Sequence, residues 1–183
     1  MVLGRASALV SLLLVASCSP AASSKTQDTA GRSVVVSFTG NLDARAKVPE
    51  EPFSVEYPEK TSQLGAVVEV RGEGGRYPLS FYFRKEDTSA FAFYVLADLE
   101  DGAPEIEPDP VETLVGQGTL HFDTDGLLLS VVPSEPIEVH FRGAPRSQLI
   151  SLNFGSAKDQ GGDGRSGFTQ YALSTTITYQ ASH

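Results

Sequence analysis

The feature that most restricts the fold of this chain is a series of short apolar runs rich in β-branched and aromatic residues. Gly, Pro or charged residues separate nearly all of the runs, as expected where strands end in turns. After the N-terminal leader, no stretch keeps the 3.6-residue apolar period of an amphipathic helix over ten residues. The pattern predicts an all-β domain, either a β-sandwich or a partly closed β-barrel. The nine predicted strands are residues 33–39, 65–70, 79–84, 91–97, 118–122, 127–132, 136–142, 148–154 and 171–180.

Length, charge and cysteine content narrow the classes of function. A chain of 183 residues suits one domain with a tail, and it can bury a real core. It carries 23 acidic and 14 basic side chains, for a formal charge of −9. Nucleic acid is not expected as a partner, because phosphate binding needs clustered Lys and Arg and no such cluster is found. The single Cys excludes an intrachain disulfide and a Cys-based metal site.

The N-terminus resembles the precursor of a bacterial lipoprotein. An apolar run at 6–16 is of signal-peptide length and ends in Val15-Ala16-Ser17-Cys18, which resembles a lipobox. We expect residues 1–17 to be a cleaved signal peptide and the sulfur of Cys18 to carry the lipid that anchors the chain in a membrane. The position of Ser19 after Cys18 favours the outer membrane within the lipoprotein class. An ordinary signal peptide with an incidental Cys is the alternative.

The mature chain divides into a tether and a domain. Residues 18–32 comprise the lipidated Cys and a small, polar, aperiodic segment that is typical of a flexible tether. Residues 33–183 hold all of the predicted strands and form the predicted β domain.

The stretch Asp123-Thr124-Asp125-Gly126 could hold a calcium ion or turn the chain. An EF-hand loop needs oxygen ligands at alternate positions and a closing bidentate Glu, but residues 127–132 are almost wholly apolar. Asp-Gly between two apolar runs is a strong hairpin signal, because Gly adopts positive φ without a Cβ clash. The sequence therefore predicts a turn here.

Two segments are predicted to be long loops. Residues 98–112 carry seven acidic residues and three prolines, a spacing of Pro through which a strand cannot run. Residues 155–167 are Gly-rich but lack the Lys-Ser/Thr ending of a phosphate loop, so a flexible connection is expected there. If the protein binds a ligand, calcium or carbohydrate at these two loops is the alternative to a structural role.

Catalytic constellations are missing from the sequence. There is no Gly-x-Ser-x-Gly elbow, and the only Cys is expected to be lipidated. Of the three His residues, His121 and His140 alternate with apolar neighbours and are expected to face solvent, while His183 is the last residue. Paired carboxylates for glycoside hydrolysis stay open, because their separation is a tertiary property. We therefore expect that the protein is not an enzyme and that it binds neither a cofactor nor a metal ion.

Several motifs, in order, resemble the central β-rich (FlaE-type) domain of the bacterial flagellar hook protein. The resemblance covers residues 33–183, and in it Leu79, Phe81 and Phe83 would point inward. The motifs are Asn41-Leu42-Asp43 after the first run, the aromatic-x-Lys ending at Lys85, the Gly-x-Leu-x-Phe-Asp-x-x-Gly hairpin at 118–126, the runs at 136–141 and 149–155, and Thr169-Gln170-Tyr171 before the last run.

The resemblance implies a non-enzymatic structural module that makes protein contacts, associated with the cell envelope and the flagellum. Three departures limit it: residues 71–75 replace the usual Asp-Ser-x-Gly turn, 98–112 resembles an insertion, and the axial helices of hook proteins are not found. Since coiled segments supply the seams of a hook polymer, we expect residues 33–183 without lipid to be a soluble monomer or weak dimer of almost pure β structure.

Overall fold

The computed structural model describes residues 33–99, 112–133 and 135–182 of the chain. The described residues form ten strands and two 3-10 turns, at Pro58–Lys60 and Lys158–Gln160. The strands are β1 (Val34–Asn41), β2 (Leu64–Gly72), β3 (Gly75–Lys85), β4 (Ala90–Asp98), β5 (Glu112–Phe122), β6 (Leu128–Val132), β7 (Ile137–Val139), β8 (Gln148–Asn153), β9 (Phe168–Thr169) and β10 (Thr176–Ser182).

The strands form two five-stranded sheets that pack on each other and curl into a half-barrel, which confirms the predicted fold class. The first sheet has the order β10-β1-β8-β7, and β9 also pairs with β1. In it, β1 is antiparallel to β10 but parallel to β8 and β9. The second sheet is an antiparallel meander in the order β2-β3-β4-β5-β6. Its neighbouring strands are consecutive in the chain.

The core between the sheets is formed by alternate residues of the strands. Leu79, Phe81 and Phe83 of β3 are fully buried, as the sequence predicts. Phe38 of β1 contacts Phe81 edge-on, with ring centroids 4.8 Å apart. It also stacks on Phe154 at 5.3 Å. Burying a side chain of this size contributes about 1.5–3 kcal/mol, so these rings are a large part of what holds the sheets together.

The strand boundaries differ from the predicted ones at several places, and β3, for example, begins at Gly75 rather than at residue 79. The two-residue strand β9 was not predicted, and β10 begins at Thr176 rather than at residue 171. Strand β5 begins at Glu112, well before the predicted residue 118. The prediction missed its first half because Gly116, Gln117 and Gly118 interrupt the apolar pattern of the strand. Strand β7 ends at Val139, and the chain then turns through a positive-φ Gly143.

The connection between β1 and β2 covers the outer face of the second sheet. Arg84 of β3 donates its Nη2 hydrogens to the carbonyl oxygens of Pro49 and Glu51, at 3.1 and 2.9 Å. Phe53 stacks on Tyr94 of β4, with ring centroids 3.7 Å apart. This face of the meander is therefore partly shielded from solvent by the chain itself.

Candidate functional site

Four of the motifs that carry the family resemblance, those at 41–43, 118–126, 149–155 and 169–171, reach one end of the sandwich. This loop end comprises residues 41–46, 86–89, 123–127 and 154–171. Backbone hydrogen bonds join its parts: Leu42 N donates to Thr169 O at 2.8 Å, and Gln170 N donates to Gly126 O at 2.7 Å. The buried Gln170 side chain also donates from Nε2 to Thr88 O at 2.9 Å. The motif residues thus bind one another and build one continuous surface.

Asn41 is the most heavily bonded side chain of the loop end. It is 8% exposed, and its Oδ1 accepts a hydrogen bond from Tyr171 N at 2.7 Å. Its Nδ2 donates to Leu173 O at 2.9 Å, with longer contacts to Tyr171 O and Ser174 O. Asn41 therefore fixes the segment that leads into β10. Its motif was recognised in the sequence, but this role was not.

The stretch Asp123–Leu127 is a hairpin turn, which confirms the sequence interpretation. Asp123 Oδ1 accepts hydrogen bonds from Asp125 N and Leu127 N, both at 2.9 Å, and Gly126 has φ of 74°. The other carboxylate oxygen accepts a charge-assisted bond from Lys158 Nζ. That ammonium group, followed by the backbone N–H of Leu127, lowers the pKa of Asp123. The carboxylate is thus committed to holding the turn and the 155–167 loop together.

Residues 155–167 form a compact loop, so the predicted flexible connection is wrong. Ser156 N donates to Ser166 O at 3.1 Å, and Gly164 N donates back to Ser156 O at 2.8 Å. Gly155 and Gly167, both with positive φ, approach each other as an antiparallel bridge. The glycines serve close backbone contact here rather than mobility.

Two charged side chains, Asp43 in the loop end and Lys85 directly before its segment 86–89, are held in unequal environments. Lys85 is 3% exposed, donates from Nζ to Ala44 O at 2.7 Å and lies 5.1 Å from the centre of the Phe91 ring. Desolvation lowers the pKa of Lys85, against the opposing charges of Asp43 and Asp87. The nearby Asp43 is half-buried and accepts a bidentate hydrogen bond from Arg45 at 2.9 and 2.8 Å. Arg45 lowers the pKa of Asp43 to about 2.

Replacing Asp43 by Asn is expected to reduce the acid sensitivity of the fold between pH 4 and pH 2. Since the pKa of Asp43 is lowered in the folded state to about 2, its stabilising effect is present above its ordinary pKa and is lost as the pH falls through about 2. Urea unfolding of the parent and of Asp43→Asn at both pH values measures this. Arg45→Gln removes the main cause of the shift and should act in the same direction. If the parent and both variants lost the same free energy of unfolding between pH 4 and pH 2, the lowered pKa of Asp43 would be contradicted.

An apolar cleft opens on the side of the sandwich where β5 and β6 face β7 and β8. It encloses about 310 Å³, and the rings of Phe93 and Phe154 are among its lining groups. Glu135 and Glu138 are the charged groups of its lining, and both are exposed. Among the described residues that line the cleft, none is basic and most are apolar, so the cleft offers mainly apolar contact.

His121 and His140, the histidines that the structure describes, do not belong to a metal-binding group. His140 is exposed, as predicted, with Nε2 3.1 Å from Ala144 O, whereas His121 is half-buried on β5. Within 33–99, 112–133 and 135–182, no group of three or more His, Cys, Asp or Glu side chains is placed to hold a metal ion. Nor does this part of the chain contain a helix long and apolar enough to cross a membrane.

Some predicted features lie outside the described residues. These are Cys18 with the signal peptide 1–17 and the tether 18–32, most of the acidic loop 98–112, and His183. Their assignments stay predictions from the sequence.

A family model matches residues 41–182, and its description is the flagellar basal body protein FlaE D2 domain. The match begins at Asn41, so most of β1 lies before it although β1 is central to the first sheet. No individual curated protein matches the chain significantly. The matched part contains every motif of the loop end described above. The chain therefore belongs to the family of the flagellar basal body protein FlaE D2 domain, and its β domain is a module related to the flagellar hook.

Proposed function

We propose that this protein is a non-enzymatic contact module of the bacterial cell envelope, anchored through acyl chains on Cys18 and associated with the flagellum. The family membership of residues 41–182 carries the structural and flagellar part of the proposal. The lipobox-like Val15-Ala16-Ser17-Cys18 carries the anchor. In this arrangement residues 1–17 are removed, 18–32 form the tether, and 33–183 form the domain.

The way the polar side chains are used supports a role in contact rather than catalysis. Asn41, Asp123 and Gln170 each hydrogen-bond to the protein's own backbone. Catalysis needs polar side chains that can contact a substrate, whereas these side chains stabilise the loop end through hydrogen bonds within the protein. A rigid loop end presents a fixed surface, which lowers the entropy lost when another protein binds.

The alternative is a lipoprotein that binds calcium or carbohydrate through 98–112 and 155–167. The compact form of 155–167 favours the contact module, because its Ser156, Asp163 and Ser166 side-chain oxygens already have partners within the loop. Calorimetric titration with calcium distinguishes the contact module from the ligand-binding lipoprotein. Stoichiometric heat of binding would favour the ligand-binding lipoprotein.

Replacing Cys18 by Ala is expected to leave the precursor unprocessed and unlipidated. Lipoprotein processing requires the Cys sulfur, which carries the diacylglycerol as a thioether. Intact-mass measurement of the membrane fraction should show the parent without residues 1–17 and with added acyl mass. The parent should also sediment with outer-membrane vesicles and copurify with detergent-extracted hook and basal-body particles.

A matched variant, Ser24→Ala in the tether, should be processed and located like the parent. A soluble parent without lipid would overturn the anchor. A lipidated parent that is absent from the flagellar particles would overturn the flagellar association and leave the anchor standing. The two parts of the proposal can thus fail separately.

A further inference from the structure

Three of the four outer strands of the sheets carry features that hinder pairing with another chain. Strand β7 has only three residues, follows Pro136 and contains Glu138. Strand β6 has five residues and is followed by Pro133. Strand β2 carries Glu69 and Arg71 along its length. Short length, Pro and charge are the usual means of keeping an open edge from recruiting a further strand.

The fourth outer strand, β10, has none of these features. Its seven residues, Thr-Ile-Thr-Tyr-Gln-Ala-Ser, include no charge, no Pro and no Gly. Most of them are exposed, and Tyr179 is 43% exposed although it points to the core side with Phe38. In the described part of the chain β10 pairs with β1 alone, and β2 lies near it in the other sheet without pairing.

The backbone groups that face the open edge can be identified. Gly40 N of β1 donates to Gly167 O, on the side away from β10. Alternate residues of a strand point their N–H and C=O groups to opposite sides, so the odd-numbered residues of β1 bond to β10. The residues of β10 that pair with these odd-numbered residues are 176, 178, 180 and 182. A Cβ on Gly40 would lie 2.1 Å from Thr176 O, which places that oxygen towards β1. The backbones of Ile177, Tyr179 and Ala181 therefore face outward.

We propose that two copies of this protein pair through β10, antiparallel and in a two-fold register centred on Tyr179. In this register Tyr179 lies opposite Tyr179 of the other copy, and Ile177 lies opposite Ala181. All three outward-facing residues of each copy are then engaged, giving six backbone hydrogen bonds across the two-fold axis. The first sheets of the two copies become one continuous sheet.

A second copy suits this edge better than a charged partner. The chain carries a formal charge of −9, so two copies repel each other over most of their surfaces. The uncharged β10 strand lets two copies approach without placing like charges opposite each other. The symmetric register also places Thr178 opposite Gln180, a neutral polar pair on the solvent side. The inference depends on β10 alone and holds with or without the lipid anchor or the flagellum.

Disulfide formation at single introduced cysteines tests the register. Full-length chains carrying Cys18→Ser would receive either Tyr179→Cys or Thr178→Cys. Residues directly opposite in a hydrogen-bonded pair have Cα atoms about 5.5 Å apart, within the range that a disulfide spans. Two copies of residue 178 would lie about 8 Å apart, outside that range. We expect at least ten times more disulfide dimer from Tyr179→Cys than from Thr178→Cys.

A charge placed on the axis tests the association without cross-linking. In the Cys18→Ser chain, Tyr179→Lys puts two ammonium groups opposite each other and should weaken dimerisation at least tenfold in analytical ultracentrifugation. Thr39→Lys adds the same charge at an exposed position on β1, one strand in from the edge, and should leave dimerisation unchanged. Circular dichroism verifies that both variants are folded. Equal cross-linking at 178 and 179, or a parent that remains monomeric at 100 μM, would overturn the proposal.

Discussion

Replacing Phe154 by Ala is expected to lower the free energy of unfolding by about 4 kcal/mol. Phe154 is 2% exposed and contacts rings from both sheets: Phe38 at 5.3 Å, Phe93 at 4.8 Å and Phe83 at 6.2 Å between centroids. The variant loses both the burial of the ring and its contacts with these neighbours, because the surrounding strands cannot collapse fully into the space. Urea unfolding monitored by circular dichroism measures the loss.

Two further substitutions make the result specific to packing. Phe154→Leu keeps much of the volume and should cost less than about 1.5 kcal/mol. Leu173→Ala removes an apolar side chain that is 61% exposed, so it should change stability by no more than about 0.5 kcal/mol. A loss below about 1 kcal/mol for Phe154→Ala would mean that the aromatic cluster does not join the sheets.

The strands of the second sheet were the most predictable part of the fold. In β3, apolar side chains alternate with polar ones through Leu79, Phe81 and Phe83, and each of them is fully buried. Such alternation arises when one face of a strand packs on a core and the other does not. The turn between β5 and β6 is also local, since Asp123 accepts the hydrogen bond of Leu127 N and Gly126 supplies the positive φ.

The first sheet was less predictable because long-range contacts define it. Strand β9 exists only because Phe168 and Thr169 lie beside Gly40 and Asn41, and two residues cannot show a period. Residues 171–175 have a strand-like composition. However, the backbone groups of Tyr171 and Leu173 form hydrogen bonds with the side chain of Asn41 rather than with the backbone of a neighbouring strand. Sequence patterns record the burial of a side chain, but they do not record which distant strand lies alongside.

The loop end shows the same limit for single residues. Gly155 and Gly167 indicated flexibility as members of a Gly-rich segment. A Cβ on Gly155 would lie 1.7 Å from Ser166 O, so these glycines are required by a tight contact. Glycine permits both outcomes, and only the partner backbone decides between them.

Replacing Asn41 by Ala is expected to lower the free energy of unfolding by about 3 kcal/mol. The substitution leaves Tyr171 N and Leu173 O without the partners that Asn41 supplies at 2.7 and 2.9 Å. Both groups lie in the segment that leads into β10, so this strand should open before the second sheet does. Urea unfolding measures the loss, and hydrogen exchange should show faster exchange in β10 than in β3.

Asn41→Asp separates the acceptor role of this side chain from its donor role. The carboxylate can still accept from Tyr171 N, but its second oxygen faces the carbonyl oxygens of Tyr171, Leu173 and Ser174 in place of a donor. A carboxyl group placed there has a raised pKa, since only its protonated form can donate. We therefore expect a loss at least as large as that of Asn41→Ala at pH 7, which shrinks relative to the parent as the pH falls to about 5. Thr39→Ala, exposed on the same strand, should change stability by less than about 0.5 kcal/mol. A pH-independent difference between Asn41→Asp and the parent would show that the donor half of Asn41 does not hold the entry to β10.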